Sequence, residues 1–160
     1  MTPVFDVDLA DTRATELLGG RLARHLRMGD LIVLTGDLGA GKTTLTRGLG
    51  TALGVRGPVT SPTFVIARRH PSEVGGPDLL HVDAYRLGSP AEMDDLDLDF
   101  GQAVAVVEWG AGLVEHLSDS RMDISIEAVG EGRRARIACH GQRWDSDAVG
   151  DLASSLGAPA

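Results

Sequence analysis

The chain has 160 residues, of which 42% are hydrophobic, and its 15 basic and 23 acidic side chains give a formal net charge of −8. No apolar run approaches the ~20 residues of a membrane-spanning helix, and Met1–Asp11 lacks the basic and apolar regions of a signal peptide. Because proteins that hold nucleic acid by its phosphates are usually basic, we do not expect this acidic chain to bind nucleic acid by itself. At this length we expect one domain over residues 1–160. The single cysteine, Cys139, excludes an internal disulfide, so we expect the protein in a reducing cytoplasm.

The first third of the chain predicts two strand–helix units. Val4–Leu9 alternates apolar and acidic residues, which is typical of a half-exposed strand. Asp11 can cap a following helix, in which apolar residues recur every four positions. Asp30–Thr35 then predicts a short buried strand, and Lys42–Leu53 predicts a second helix.

The middle of the chain predicts three further strands and a capped helix. Phe64–Ile66 and Leu79–Val82 are predicted strands on either side of the Gly/Pro-rich surface loop His70–Asp78. Ser89 begins a capping box, with proline and glutamate in the first helical turn. Ala103–Val107 is unbroken and apolar, as expected for a strand covered on both faces.

The last part of the chain predicts a hairpin and a closing helix. Met122–Val129 and Arg133–His140 alternate in polarity around a glycine-containing turn, and Asp145–Leu156 has a helical pattern. Because strands and helices interleave along the whole chain, the sequence predicts a three-layer α/β fold with a mostly parallel sheet.

A phosphate-binding loop is predicted between the second strand and the second helix. Gly36–Thr43 fits the Walker A pattern G-x-x-x-x-G-K-[ST]. Gly39 and Gly41 allow the backbone N–H groups to surround a phosphate, Lys42 would reach the β- and γ-phosphates, and the Thr43 hydroxyl would bind Mg²⁺. A glycine-rich turn with a surface lysine is the alternative. The chain has 14 arginines and one lysine, and that lysine occupies the position where the pattern needs it.

Two acidic residues end apolar predicted strands and are candidates for the metal centre. Asp83 follows Leu79–Val82, and Glu108 follows Ala103–Val107. One acid would hold Mg²⁺, directly or through water, and the other would complete the shell or orient the attacking water. Each could instead cap a neighbouring turn.

Thr60–Phe64 could be a switch segment that senses the γ-phosphate, with the hydroxyls of Ser61 and Thr63 as contacts. A plain turn at the entry to a strand would have a similar sequence, so both interpretations stay open.

The base and the reaction class follow partly by elimination. GTPases recognise guanine with an Asn-Lys-x-Asp segment, but this chain has no asparagine, and its one lysine lies in the loop. ATP is therefore the favoured nucleotide. A small-molecule or nucleoside kinase, and a nucleotide-gated binding module with negligible hydrolysis, remain alternatives to an ATPase.

Other polar clusters have structural explanations. Five acids lie within Glu92–Asp99, but the segment lacks the glycine and closing glutamate of a calcium loop, so we expect a solvated face. Cys139 and His140 are neighbours on a predicted strand and point to opposite faces. The other histidines show no metal-ligand spacing; they are His25, His70, His81 and His116.

Taken together, these motifs resemble the TsaE (YjeE) family of bacterial ATPases, which act in making threonylcarbamoyladenosine (t6A) in tRNA. The resemblance covers about residues 5–140. The matching pieces, in chain order, are Gly36–Thr44, Ser61–Phe64, His81–Leu87, Val107–Trp109 and Gly132-Arg133.

The resemblance implies a P-loop NTPase fold, with a parallel sheet flanked by antiparallel strands, that binds ATP and Mg²⁺. Thr43 and Glu108 would hold Mg²⁺, with Asp83 in the same centre and needed for hydrolysis together with Lys42. Trp109 would lie close to the nucleotide, and Thr12 and Arg133 would border its adenine and ribose. The remaining contacts would come from the loop residues Asp37, Leu38, Gly39, Ala40, Gly41 and Thr44.

The resemblance also implies partners. ATPases of this family work with the TsaB–TsaD pair, which transfers the threonylcarbamoyl group to tRNA, so tRNA would be reached indirectly and no membrane is involved. Turnover would be weak in the isolated protein. One departure is Asp94–Phe100, which is more acidic than the corresponding segment of the family.

Overall fold

The computed structural model describes residues 2–37, 39–60 and 66–157. Strands and helices interleave along these residues, as the sequence patterns predict. The elements are β1 Val4–Leu9, α1 Thr12–Ala23, β2 Leu31–Gly36, α2 Lys42–Leu53, β3 Ala67–His70, β4 Asp78–Asp83, α3 Pro90–Asp95, β5 Ala103–Glu108, β6 Arg121–Val129, β7 Gly132–His140 and α4 Ser146–Leu156. None of the helices in the described ranges has the length and hydropathy of a membrane-spanning segment.

The strands form one mixed sheet in the order β1-β7-β6-β2-β5-β4-β3. Its centre is parallel, through the pairs β6–β2, β2–β5 and β5–β4. Its two ends are antiparallel, through β1–β7–β6 on one side and β4–β3 on the other. The fold is therefore α/β, and the parallel sheet flanked by antiparallel strands that the resemblance implies is confirmed, with the parallel part limited to the four central strands.

Both faces of the sheet are covered, but unequally. One face packs against α1, α2 and α4 and buries side chains such as Leu34 of β2, Leu45 of α2 and Leu152 of α4. The other face is covered by α3 and the segments that follow it, with Met93 and Val114 fully buried. Consecutive residues of β5 alternate between these two clusters, which confirms the prediction of a strand covered on both sides.

Helices α1 and α2 cross at backbone contact distance, because glycines lie at the crossing. A methyl group on Gly19 would lie 2.2 Å from the carbonyl oxygen of Leu45, and one on Gly48 would lie 2.1 Å from that of Glu16. Since no side chain fits between the two backbones, the crossing fixes α1 against α2 and brings the beginning of α1 beside the loop that precedes α2.

The prediction of a strand at Phe64–Ile66 is wrong at Ile66, which lies in a bend. Phe64 and Val65 lie outside the described residues. The strand at this place is β3, which pairs with β4 from Ala67 to His70. It contains two exposed arginines, Arg68 and Arg69. An edge strand need not contain an apolar run, so apolar patterns in the sequence did not predict the position of β3.

Candidate active site

The loop between β2 and α2 has the backbone of an anion cradle. Gly39 has φ +80° and Gly41 has φ +112°, in the left-handed region where a side chain is strained. Gly36 lies against β6, where an added methyl group would be 2.8 Å from the carbonyl oxygen of Ile126. Glycine is therefore needed at all three positions for geometric reasons. Leu38, a predicted loop contact, lies outside the described residues.

The beginning of α2 differs from the beginnings of the other helices. A side-chain oxygen accepts a hydrogen bond from the first turn of α1, α3 and α4, and it comes from Asp11, Ser89 and Asp145 respectively. Within the described ranges, α2 is the α-helix that has no such cap, because Gly41 has no side chain to supply one. Its first-turn N–H groups thus remain available to an anion, which the positive end of the helix dipole also favours.

The ammonium group of Lys42 lies at this cradle. The residue is 7% exposed. Its Nζ donates hydrogen bonds to the carbonyl oxygens of Gly36 and of Asp37, the latter at 3.1 Å. The same Nζ is 4.8 Å from the centre of the Trp109 ring. Loop carbonyls and an aromatic face together hold the cation where phosphate oxygens would be bound.

Trp109 has a strained backbone immediately after β5. Its φ is +60°, an unusual value for a bulky residue, and its backbone N–H donates to the carbonyl oxygen of Leu34 at 3.0 Å. The half-buried indole makes an edge contact with the exposed ring of Tyr85, with the ring centres 5.6 Å apart. The structure thus places Trp109 beside Lys42 of the loop, whereas the sequence alone assigned no role to Tyr85.

The two predicted carboxylates are at paired positions on neighbouring parallel strands. Asp83 of β4 is the register partner of Glu108 of β5, and Glu108 is also opposite Leu34 of β2. Glu108 is 4% exposed, while Asp83 is partly exposed. Asp83 Oδ1 accepts a hydrogen bond from the backbone N–H of Tyr85 at 3.0 Å. Both acids thus lie at the sheet edge that carries the loop.

A buried histidine, which sequence reasoning did not place in the site, contacts one of these carboxylates. His81 Nε2 lies 2.6 Å from Glu108 Oε2, and His81 is completely buried. The signal was its position two residues before Asp83, because side chains at this spacing share one face of a strand.

A cleft of about 270 Å³ adjoins the loop between β2 and α2. Thr12, at the beginning of α1, and Arg133, near the beginning of β7, both line it. Arg133 Nη2 also donates to the carbonyl oxygen of Gly39 at 3.5 Å. The other residues that line it are Leu9, Ala10, Asp11, Thr15, Gly39, Ala40, Gly41, Thr44, Glu131 and Gly132. The geometry therefore brings the predicted base-side residues and the loop together.

The donor set fits Mg²⁺ bound with a polyphosphate. The Thr43 hydroxyl and the carboxylates of Asp83 and Glu108 are the hard oxygen ligands that Mg²⁺ prefers. Within the described ranges, no three His, Cys, Asp or Glu side chains form a metal-binding cluster.

Two other polar groups singled out in the sequence, Glu92–Asp99 and Cys139-His140, have structural explanations. All five acids of Glu92–Asp99 are exposed, as predicted for a solvated face. Burial raises the pKa of the Cys139 thiol to about 11, while the neighbouring His140 points elsewhere and contacts Asp123 at 2.9 Å. The predicted switch contacts Ser61 and Thr63 lie outside the described residues.

Comparisons with known proteins agree with this architecture. A family model described as threonylcarbamoyl adenosine biosynthesis protein TsaE matches residues 9–136. The tRNA threonylcarbamoyladenosine biosynthesis protein TsaE of Streptomyces coelicolor is 58% identical over 144 residues, which are 85% of this chain and 97% of that protein. Its Bacillus subtilis namesake is 39% identical over 123 residues, 75% of each chain. The crystal structure of Bacillus subtilis YdiB superimposes with a TM-score of 0.78 at 29% identity, and the match covers 96% of this chain and 97% of that one.

The fold is that of an α/β protein with a glycine-rich loop between its central strand β2 and the uncapped helix α2. The extent of the family match, together with relatives of high identity over most of their length, shows that the chain belongs to the TsaE family.

Proposed function

We propose that this chain is a P-loop ATPase that binds Mg-ATP and supports t6A modification of tRNA together with TsaB and TsaD. The observation that carries the proposal is the uncapped beginning of α2, with the Lys42 ammonium held at the same loop. A polyphosphate would replace the carbonyl contacts of Lys42 and accept from the free N–H groups of the helix.

In this proposal the nucleotide extends from the loop into the cleft. Residues Asp37 to Thr44 would hold its phosphates, and Trp109 would lie beside them. Thr12 and Arg133 would border the adenine and ribose, because they line the cleft that opens from Gly39 to Gly41. No asparagine is available to recognise guanine in the usual way, which favours ATP.

The carboxylates would serve the metal. Thr43 and Glu108 would hold Mg²⁺, with Asp83 in the same centre, and the ion would neutralise the charge that develops on the phosphates. Glu108 is suited to a fixed role because it is buried and already hydrogen-bonded. Asp83 is partly exposed, so it can contact water as well as metal.

The pathway follows from family membership. The relatives are named for t6A biosynthesis in tRNA. An acidic chain with a net charge of −8 is suited to act through partner proteins rather than to hold tRNA alone. We therefore propose that ATP hydrolysis supports the TsaB–TsaD pair, and that turnover without these partners is weak.

The test is ATP hydrolysis by the purified protein, alone and with TsaB and TsaD. Weak hydrolysis that changes with the partners and collapses in Glu108→Ala would support the site and the pathway. Glu73→Ala is the matched control, since Glu73 is exposed in the loop beside Gly54, where α2 ends, and should behave like the wild type. Indifference to the partners would overturn the pathway, and full activity of Glu108→Ala would overturn its role.

The same assay separates the rival reaction classes. Phosphorylated product from an added nucleoside or other acceptor would identify a kinase. Negligible turnover even with the partners, combined with nucleotide-dependent partner binding, would identify a nucleotide-gated binding module.

A further inference from the structure

Glu108 is a buried carboxylate in contact with one buried side chain, that of His81. It is 4% exposed, and His81 Nε2 lies 2.6 Å from its Oε2. An ionised carboxylate oxygen can only accept, so with Glu108 ionised this contact requires the His81 tautomer that has its proton on Nε2. A hydrogen bond from a buried donor selects one side-chain rotamer and leaves the other carboxylate oxygen for a second partner.

The register of β4 and β5 brings the side chains of His81 and Glu108 together. His81 is two residues before Asp83 on β4, and Asp83 is the register partner of Glu108 on the adjacent strand β5. The three side chains therefore share one face of the sheet. This is the face that packs against α2, since the neighbouring Leu79 and Val106 belong to the core cluster on that side.

The second ring nitrogen of His81, Nδ1, helps to identify the role of this residue. His81 is completely buried, and its Nδ1 has no hydrogen-bond partner among the residues described. A buried imidazole with one nitrogen that makes no hydrogen bond lowers the stability of the folded protein. An apolar residue at this position would not have this cost. The cost is explained if the contact from Nε2 to Glu108 serves the site.

We propose that His81 is a positioning residue, which orients the Glu108 carboxylate toward the metal through its Nε2–H donor. This inference rests on the proposed function and deepens it, because it names the group that holds Glu108 in place. His81 itself touches neither nucleotide nor metal in this arrangement.

Three substitutions separate positioning from packing. His81→Gln places an amide N–H near the site of Nε2 and preserves the donor. His81→Asn has the same chemistry but places its amide near Nδ1, too short to reach Glu108. His81→Leu fills the space without a donor. Thermal unfolding of each variant shows which of them fold, and the Gln and Asn pair keeps the comparison valid if the leucine variant does not.

The first readout is the ligand-free protein. A long-range ¹H–¹⁵N spectrum of the imidazoles should show His81 as the Nε2–H tautomer, identified by its absence in His81→Gln. Its Nε2–H proton signal should shift in Glu108→Gln. A His81 protonated only on Nδ1 would overturn the inference.

The second readout is binding of ADP, titrated calorimetrically with and without Mg²⁺. We expect His81→Asn and His81→Leu to lose about tenfold or more of the affinity gained from Mg²⁺, as for other groups that orient metal ligands, with metal-free affinity unchanged. His81→Gln should keep most of the gain. An Asn variant as good as the Gln variant, or a Leu variant equal to the wild type, would overturn the inference. If the wild type itself gains nothing from Mg²⁺, the proposed function fails instead.

Discussion

The Lys42 ammonium lies over the ring of Trp109, with its nitrogen 4.8 Å from the ring centre. A cation over an aromatic face contributes about 1 kcal/mol, and more when both groups are shielded from water. Lys42 comes from the beginning of α2, whereas Trp109 follows β5, so the contact joins the loop to the strand that ends in Glu108. An anion that binds in the loop must compete with this contact for the ammonium.

Removal of the Lys42 charge should weaken nucleotide binding. We expect Lys42→Ala to lower the affinity for Mg-ATP by about 10- to 100-fold, since a hydrogen bond to a charged group contributes about 1.5–3 kcal/mol. Lys42→Arg should not restore it, because a planar guanidinium cannot replace a compact ammonium at the β- and γ-phosphates. Isothermal titration calorimetry measures the affinity. Arg47→Ala is the control, since Arg47 is an exposed cation of the same helix; wild-type affinity in Lys42→Ala would contradict the prediction.

Nucleotide binding should change the fluorescence of one tryptophan and not the other. Trp109 lies at the Lys42 ammonium, whereas Trp144 is buried with Arg143 on its face. Withdrawal of the ammonium from the Trp109 ring should alter its emission. We therefore expect an ATP-dependent change in Trp144→Phe and none in Trp109→Phe. A signal that persists in Trp109→Phe would place the responding ring elsewhere.

The crossing of α1 and α2 should tolerate one glycine substitution and reject its neighbour. Gly19→Ala would place a methyl group 2.2 Å from the Leu45 carbonyl oxygen, so we expect a loss of about 1–3 kcal/mol in the free energy of unfolding. At Gly20 the nearest atom would be 3.9 Å away, and alanine is the better helix former by about 1 kcal/mol, so Gly20→Ala should be neutral or stabilising. Urea unfolding followed by circular dichroism compares the two, and equal stability would contradict the proposed contact.

The buried thiol should make stability depend on alkaline pH. Burial raises the pKa of Cys139 from its ordinary value of 9.0 to about 11. Below pH 9 the thiol is protonated in both states, so its contribution is complete there. As the pH rises from 9 to 11, the unfolded chain loses the proton first, and the folded state loses stability.

The measurement is the free energy of unfolding at pH 8 and at pH 10, for the wild type and for Cys139→Val. The difference between the two proteins isolates the thiol, because every other group titrates in both. We expect the wild type to lose about 1 kcal/mol relative to the variant over this interval. A difference that does not change with pH would show that the thiol titrates normally in the folded protein.

Local patterns predicted most elements of the fold, and the reason is physical. The alternation of Val4–Leu9 and the pattern of Lys42–Leu53 depend on neighbouring residues alone, and the structure confirms both ranges. The predicted beginning of α1 at Asp11 is also confirmed, since its side chain accepts from Ala14 N–H at 2.8 Å. The order of the strands in the sheet could not be predicted in this way, because it depends on contacts between distant segments.

The same distinction applies to the site. The Walker A pattern lies within eight consecutive residues, so Gly36–Thr43 could be predicted to be a phosphate-binding loop from the sequence alone. The contact from His81 to Glu108 depends on the pairing of β4 with β5, and the strained φ of Trp109 depends on what its backbone must reach. The spacing of His81 and Asp83 indicates only that they share one face of β4, and nothing near Trp109 in the sequence predicts its φ. β3 was misplaced for a related reason, because an exposed edge strand has no apolar pattern.

The pairing of the first strand with the last has a consequence for synthesis on the ribosome. Arg133 and Gly39, which meet at the cleft, are 94 residues apart, and Asp8 and Arg134, which join β1 to β7, are 126 apart. At about 5–20 residues per second, translation reaches Arg133 roughly 5 to 20 s after Gly39. Until then β1 has no partner strand and one wall of the cleft is missing. A nascent chain therefore completes the proposed nucleotide cleft only after the β6–β7 hairpin has emerged, so we expect truncated products to be inactive and open to proteolysis along the unpaired β1.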